Sequence, residues 1–218
     1  MLLVLGGTIA ATLINIPFRM LPSILKAFTK LFFEPKLEST QKIIKRLVQY
    51  SEHAMTHGIE SLLDVETFQT ESIFIKKGMI MLCDGRSEKF IKEVLESHIK
   101  ETISRHKMII DTFITMGTFS PTFGLIGTVI GIIQVLKYVD DPTSVGSSMA
   151  IALLSTFYGI ALANFIFIPL AGKLRFRSNF ESKHKQLVIE GILCIHQGML
   201  PIMLEQRLKA YLEERRSA

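Results

Sequence analysis

Thr128 and Thr156 are the residues in this chain whose placement most suggests chemistry. Each is a hydroxyl inside a long apolar stretch, residues 112–136 and 142–172, that contains no Asp, Glu, Lys or Arg. Gly117, Pro121, Gly124, Thr128 and Gly131 follow one another at steps of 4, 3, 4 and 3, with Gly127 alongside, so they share one face of a helix. Ala152, Thr156, Gly159 and Ala163 repeat at steps of 4, 3 and 4. Small residues in such stripes let two helix backbones approach closely inside a membrane. As packing seams alone they need no further function, but two hydroxyls at mid-span also suit the wall of a hydrated ion path. Pro121 and Pro169 each remove a backbone hydrogen bond and can kink a helix. Placed at one depth, they would mark a hinge or a channel mouth.

No Asp, Glu, His, Lys or Arg stands at the centre of any apolar stretch, although ion translocation through a membrane normally uses such a group. An ion path along these helices would therefore need its carboxylate from another polypeptide. Asp111, at the edge of its stretch, reads as an interfacial cap. His53 and His57 are four residues apart, but no third ligand accompanies them, so a solvated or packed pair is the better reading than a metal site. Cys83 and Cys194 read as reduced thiols. With no nucleophile motif, phosphate loop or paired carboxylates, an enzyme is not expected. No cofactor is expected either beyond a transported Na+ or H+, and any energy used would come from an ion gradient.

The elements that must carry these residues follow from the charge pattern. The chain has 218 residues and 21% charged side chains, with a mean hydropathy of +0.35. That combination requires the charge to be segregated, and it is. Three stretches reach or approach the roughly 20 residues that cross a ~30 Å hydrocarbon core. The expected class is an all-α integral membrane protein. Its parts are transmembrane helices at 1–18, 112–136 and 147–172, an amphipathic interfacial helix at 19–35, a helical cytoplasmic domain at 36–111, a short external loop at 137–146 and a cytoplasmic helical tail at 173–218. Arg19, Lys26, Lys30, Arg105, Lys107, Lys173, Arg175 and Arg177 flank the inner ends, placing 19–111 and 173–218 in the cytoplasm by the positive-inside rule. The net charge of +5 is explained by these flanks, so no nucleic-acid partner is expected.

The run Pro121-Thr122-Phe123-Gly124-Leu125-Ile126-Gly127-Thr128-Val129-Ile130-Gly131 resembles the third-helix signature of the MotA/TolQ/ExbB proton-channel family. Residues 150–159, continuing to Ala163-Asn164 and Pro169, are similar to the family's fourth helix. The Asp140-Asp141-Pro142 loop, the Asp84-Gly85 turn and Val4-Leu5-Gly6-Gly7-Thr8 leading to Pro17 favour the flagellar MotA branch. The resemblance implies four spans, of which this chain shows three, the first helix being absent. It implies a homopentamer in the bacterial inner membrane around a dimer of a MotB-like single-span subunit that supplies the ion-binding Asp. It also implies torque on the flagellar rotor protein FliG through the cytoplasmic region. Threonine at both 128 and 156 is similar to the sodium-driven members. Met55 and Leu63 stand where MotA proteins carry rotor-facing Arg and Glu, which leaves Glu52, Glu60, Asp64 and Glu66 as candidate rotor-facing charges. Two alternatives remain: a TolQ/ExbB-type subunit energising an envelope process, and a membrane scaffold without conduction.

Overall fold

The computed structural model describes the backbone of residues 1–33, 38–64, 68 and 71–213, and the side chains of these except 28–33, 64 and 211–213. The chain is all-helical, with no strand among the described residues. In order it forms α1 (Leu2–Asn15), a 3-10 turn (Phe18–Met20), α2 (Leu21–Phe33), α3 (Thr40–His57), a 3-10 segment (Ile59–Asp64) and α4 (Ile73–Cys83). There follow α5 (Glu88–Lys137), α6 (Pro142–Leu162), a π-helical segment (Ala163–Phe167), α7 (Ile168–His196) and α8 (Pro201–Glu213).

Local chemistry sets the boundaries. The Ser39 side chain accepts from the Lys42 N–H to cap α3, and Ser72 does the same for α4 through Ile75. Gly85 and Gly198, both at φ +66°, end α4 and α7 in Schellman turns: the Arg86 N–H reaches the Met81 oxygen and the Met199 N–H the Cys194 oxygen, each at 3.1 Å or less. Asp141 caps α6 through the Thr143 N–H at 3.1 Å, with Pro142 as the first helical residue. The connection between α5 and α6 is therefore only residues 138–141, shorter than the predicted 137–146, because the Asp-Pro pair starts a helix rather than merely turning the chain.

The chain divides into two compact units, Met1–Glu34 with Arg105–Arg177, and Pro35–Ser104 with Ser178–Ala218. The second differs from the contiguous 36–111 domain expected, since it needs α7 and α8 to close its core. Leu47, Met79, Ile91, Leu95, Leu187, Ile192, Leu204 and Leu208 are all at most 1% exposed within it. Two glycines make room there for large side chains: a Cβ on Gly78 would overlap the Ile192 side chain, and one on Gly191 would stand 2.6 Å from Leu47. Among the described side chains of this unit, one carboxylate is buried. Glu71, with a side chain 1% exposed, accepts from the Tyr50 hydroxyl at 3.1 Å and lies 3.2 Å from the Arg46 guanidinium, which also holds Glu38 at 2.7 Å.

Among the described residues, two helices contain windows long and apolar enough to cross a membrane, one within Glu88–Lys137 and one within Pro142–His196. A third counts only if α1 and the segment Phe18–Ala27 are taken together, and these are bent by 110°. The span expected at 1–18 is thus a helix of 14 residues, about 21 Å long at 1.5 Å per residue. It stops where Ile16 turns extended ahead of Pro17, as the residue before a proline tends to. Asp111 does not cap anything. It lies inside the continuous α5, where its backbone carbonyl accepts from the Thr115 hydroxyl.

Candidate functional site

The two small-residue stripes face each other. On α5, Gly124 is packed so that a Cβ would come within 2.9 Å of the Ser155 carbonyl oxygen and 3.2 Å of the Cα atoms of Thr156 and Gly159. A Cβ on Gly159 would lie 2.7 Å from the Ser120 oxygen, 3.0 Å from the Gly124 Cα and 3.2 Å from the Pro121 Cα. Measured in the same way, Gly131 abuts Ala152 at 2.5 Å, and Gly127 abuts the Ser155 side chain at 2.6 Å. Further along, Gly117 meets Ile168 at 3.0 Å. At Gly124 and Gly159 glycine is required by backbone-to-backbone contact, the geometry that stripes of small residues permit.

Within this seam the structure brings Thr128 and Thr156 together. Their hydroxyl oxygens are in direct hydrogen-bonding contact, and both side chains are half-buried. Thr128 Oγ1 also lies 3.2 Å from two backbone acceptors, the Gly124 oxygen of its own helix and the Ala152 oxygen of the facing one. A hydroxyl offers one proton to several acceptors, so this proton can be redirected without breaking the fold. Two turns away, the buried Ser120 hydroxyl donates to the Gly159 carbonyl at 2.9 Å. Ser155, also buried, returns its proton to the Ile151 oxygen of its own helix at 2.9 Å.

Ser120 and Ser155 are site residues that the sequence reading passed over. The signal was present: 117, 120, 124, 127 and 131 share one helical face, as do 148, 152, 155 and 159, and counting hydroxyls as small residues would have included them. A third element adds a similar stripe. Val4, Thr8 and Thr12 on α1 are at most 1% exposed, and each threonine hydroxyl returns to the carbonyl four residues earlier at 2.6 Å. Gly7 on the same helix packs directly on the Phe123 ring, which fills the place a Cβ would take.

The prolines do not share a depth. Pro121 lies opposite Gly159, whereas Pro169 directly follows Ile168, which lies opposite Gly117. Four residues of α5 separate those levels, about 6 Å. Nor do they act alike. Pro121 is accommodated inside the continuous α5. Pro169 follows a π segment that begins at the buried Ala163, in which the Ile168 N–H reaches back to the Ala163 oxygen. The Ile160 carbonyl accepts from the exposed Asn164 side chain at 3.0 Å. A local π adjustment is one way the backbone groups freed by a proline are satisfied again in a membrane helix.

The other expected residues lie in the second unit. Glu52 is exposed on α3 and Glu60 is exposed on the following 3-10 segment. Asp64 ends that segment, but its side chain, like the whole of Glu66, lies outside the described residues. His53 and His57 stack on each other with ring centroids 4.6 Å apart, and no group of three potential metal ligands occurs among the described residues.

Residues 66–186 match the profile of the MotA/TolQ/ExbB proton channel family. The uncharacterized protein YtxD of Bacillus subtilis is 37% identical over 96% of this chain and 76% of its own length. The chemotaxis protein PomA of Vibrio alginolyticus is 32% identical over 100% of this chain and 84% of its own. Among solved structures, the flagellar MotAB stator complex from Bacillus subtilis superposes with a TM-score of 0.90 at 29% identity, covering 99% of this chain and 85% of that one.

Proposed function

Because the chain belongs to the MotA/TolQ/ExbB proton channel family, we propose that it is the channel-wall subunit of a flagellar stator, coupling cation flow across the inner membrane to torque on the rotor. The observation that carries this reading is the hydroxyl pair Thr128–Thr156 on a seam without any acidic or basic side chain. Such a wall offers an ion oxygen atoms but no charge. The charge then comes from a MotB-like single-span partner whose Asp faces the two threonines, and five copies of this chain surround a dimer of that partner.

The division of labour follows from electrostatics. A carboxylate in the membrane is stable only where water, a cation or hydrogen-bond donors meet it. Thr128 can turn its proton from the Gly124 and Ala152 oxygens towards a carboxylate, and turn its oxygen towards a desolvating cation. Two hydroxyl oxygens beside a carboxylate suit Na+, a hard ion that needs oxygen ligands, so sodium is the proposed coupling ion. The three spans are residues 1–18 with α1, 112–136 within α5 and 147–172 along α6 and the start of α7, with 19–111 and 173–218 in the cytoplasm. The exposed charges Glu52 and Glu60, with Asp64 and Glu66, are offered to FliG.

Cells expressing this chain with its single-span partner test the proposal through swimming speed against external sodium. Thr128→Ala is expected to raise the sodium concentration needed for half-maximal speed. An unchanged sodium dependence rules out the ion role of the pair, and loss of partner binding in pull-down assigns the threonine to packing instead.

A further inference from the structure

We infer that the inner end of the first unit carries a binding belt for anionic phospholipid headgroups, built from three elements rather than from one basic run. α2 leaves α1 at 110°, close to a right angle, so it runs along a membrane surface if α1 runs through it. Its Ile24 packs against the buried cluster that Ile110 and Phe113 of α5 form with Ala171 of α7, as do Ile109, Leu170 and Leu174. That contact brings three sets of cations to one level. Lys26 is two residues from Ile24, Lys107 is three before Ile110, and Lys173 is two after Ala171. Arg19, Arg105, Arg175 and Arg177 extend the set by a turn. Arg19, Arg105, Lys107 and Arg175 are exposed or half-exposed, and Asp111 is the one carboxylate among the described side chains of this end.

An apolar complement accompanies the cations. Phe18 and Leu25, 77% and 63% exposed, project from the turn and from α2 beside them. Acyl chains below and phosphates above would cover both, as at the surface of a leaflet holding anionic lipid. The other end of the unit is different in kind: Lys137 stands against Asp140 and Asp141, roughly 40 Å further along α5. The belt is thus a feature of one leaflet. It adds to the channel reading and does not depend on ion conduction.

The chain contains no Trp, so Phe18→Trp installs a single fluorophore at the belt and Leu136→Trp, at a 70% exposed site, one at the opposite end. The full chain, with a partner whose own tryptophans are replaced by phenylalanine, is reconstituted in vesicles containing brominated phosphatidylglycerol or brominated phosphatidylcholine, and quenching is compared. At the Phe18→Trp reporter the anionic lipid is expected to bind about fivefold more tightly than the zwitterionic one, and at the Leu136→Trp reporter about equally. Adding Arg19→Gln, Lys107→Gln and Arg175→Gln should bring the ratio at the belt reporter towards one, with far-UV circular dichroism unchanged. Equal quenching by the two lipids at the belt reporter overturns the belt, as does the same preference at both reporters.

Discussion

The Ser120 hydroxyl donates to the Gly159 carbonyl oxygen across the α5–α6 seam at 2.9 Å, at the point where a Cβ on Gly159 would stand only 2.7 Å from the Ser120 backbone oxygen. The two helices are therefore held at backbone contact by a hydrogen bond that only a glycine on one side and a small hydroxyl on the other permit. The Gly159 oxygen also accepts from the Ala163 N–H of its own helix, so the serine bond supplements the ladder instead of replacing it. Ser120→Ala should cost about 1 kcal/mol, the net worth of one hydrogen bond whose acceptor keeps another partner. Thermal unfolding of the detergent-solubilised chain measures it.

The glycines of α6 make an internal contrast. Gly159→Ala must push α5 away, since the atoms in its path are backbone, and should lose about 1–3 kcal/mol. Gly146→Ala, in the same helix with nothing within 4 Å, should gain roughly 0.5–1 kcal/mol by reducing the freedom of the unfolded chain. Equal effects at the two sites would refute the close approach.

Glu71 depends on its partners. Arg46→Met removes the cation 3.2 Å away and strands a carboxylate whose side chain is 1% exposed, a loss of about 3–5 kcal/mol. Converting Glu71→Gln in the same chain should restore much of it, because the Tyr50 hydroxyl still has an acceptor. A double-mutant cycle by chemical denaturation checks the coupling.

The second unit should weaken in acid through His184. Burial pushes this imidazole below the usual 6.5, against a smaller opposing pull from Glu38, and Thr40 Oγ1 lies 2.9 Å from its Nε2. The unfolded chain binds the proton more readily, so stability rises with pH up to about the unfolded value and falls as pH drops below it. The unfolding midpoint should decrease between about pH 7.5 and about pH 5.5, and His184→Gln should flatten that decrease.

Both cysteines should be slow nucleophiles. Burial raises the Cys83 thiol above its usual value, with Asp84 and Glu60 adding to the effect, and burial likewise raises Cys194. Only the thiolate reacts. Iodoacetamide labelling at neutral pH should lag a free thiol at both positions, with Glu60→Gln speeding Cys83.

What was legible in the sequence is what charge and period can carry. Excluding Asp, Glu, Lys and Arg from 112–136 and 142–172 marks the membrane helices, because a stranded charge there is too costly to be placed by accident. Steps of 3 and 4 put Gly117, Gly124, Thr128 and Gly131 on one face, and Ala152, Thr156 and Gly159 on another. The Asp141-Pro142 pair is legible as a break between the two apolar helices, whereas the helix start it makes and the caps at Ser39 and Ser72 are findings of the structure.

Only the tertiary structure decided which faces meet and in what register. Period alone does not show that Thr128 lies against Thr156, that Ser120 reaches Gly159, or that Pro121 and Pro169 sit about a turn apart. Those depend on how one antiparallel helix slides along another, which close contact at Gly124, Gly131 and Gly159 settles. The same holds for the second unit, whose core joins Leu47 and Met79 to Ile192 and Leu208. Hydrophobic burial does not depend on order along the chain, so residues more than a hundred positions apart close one core that no contiguous reading could enclose.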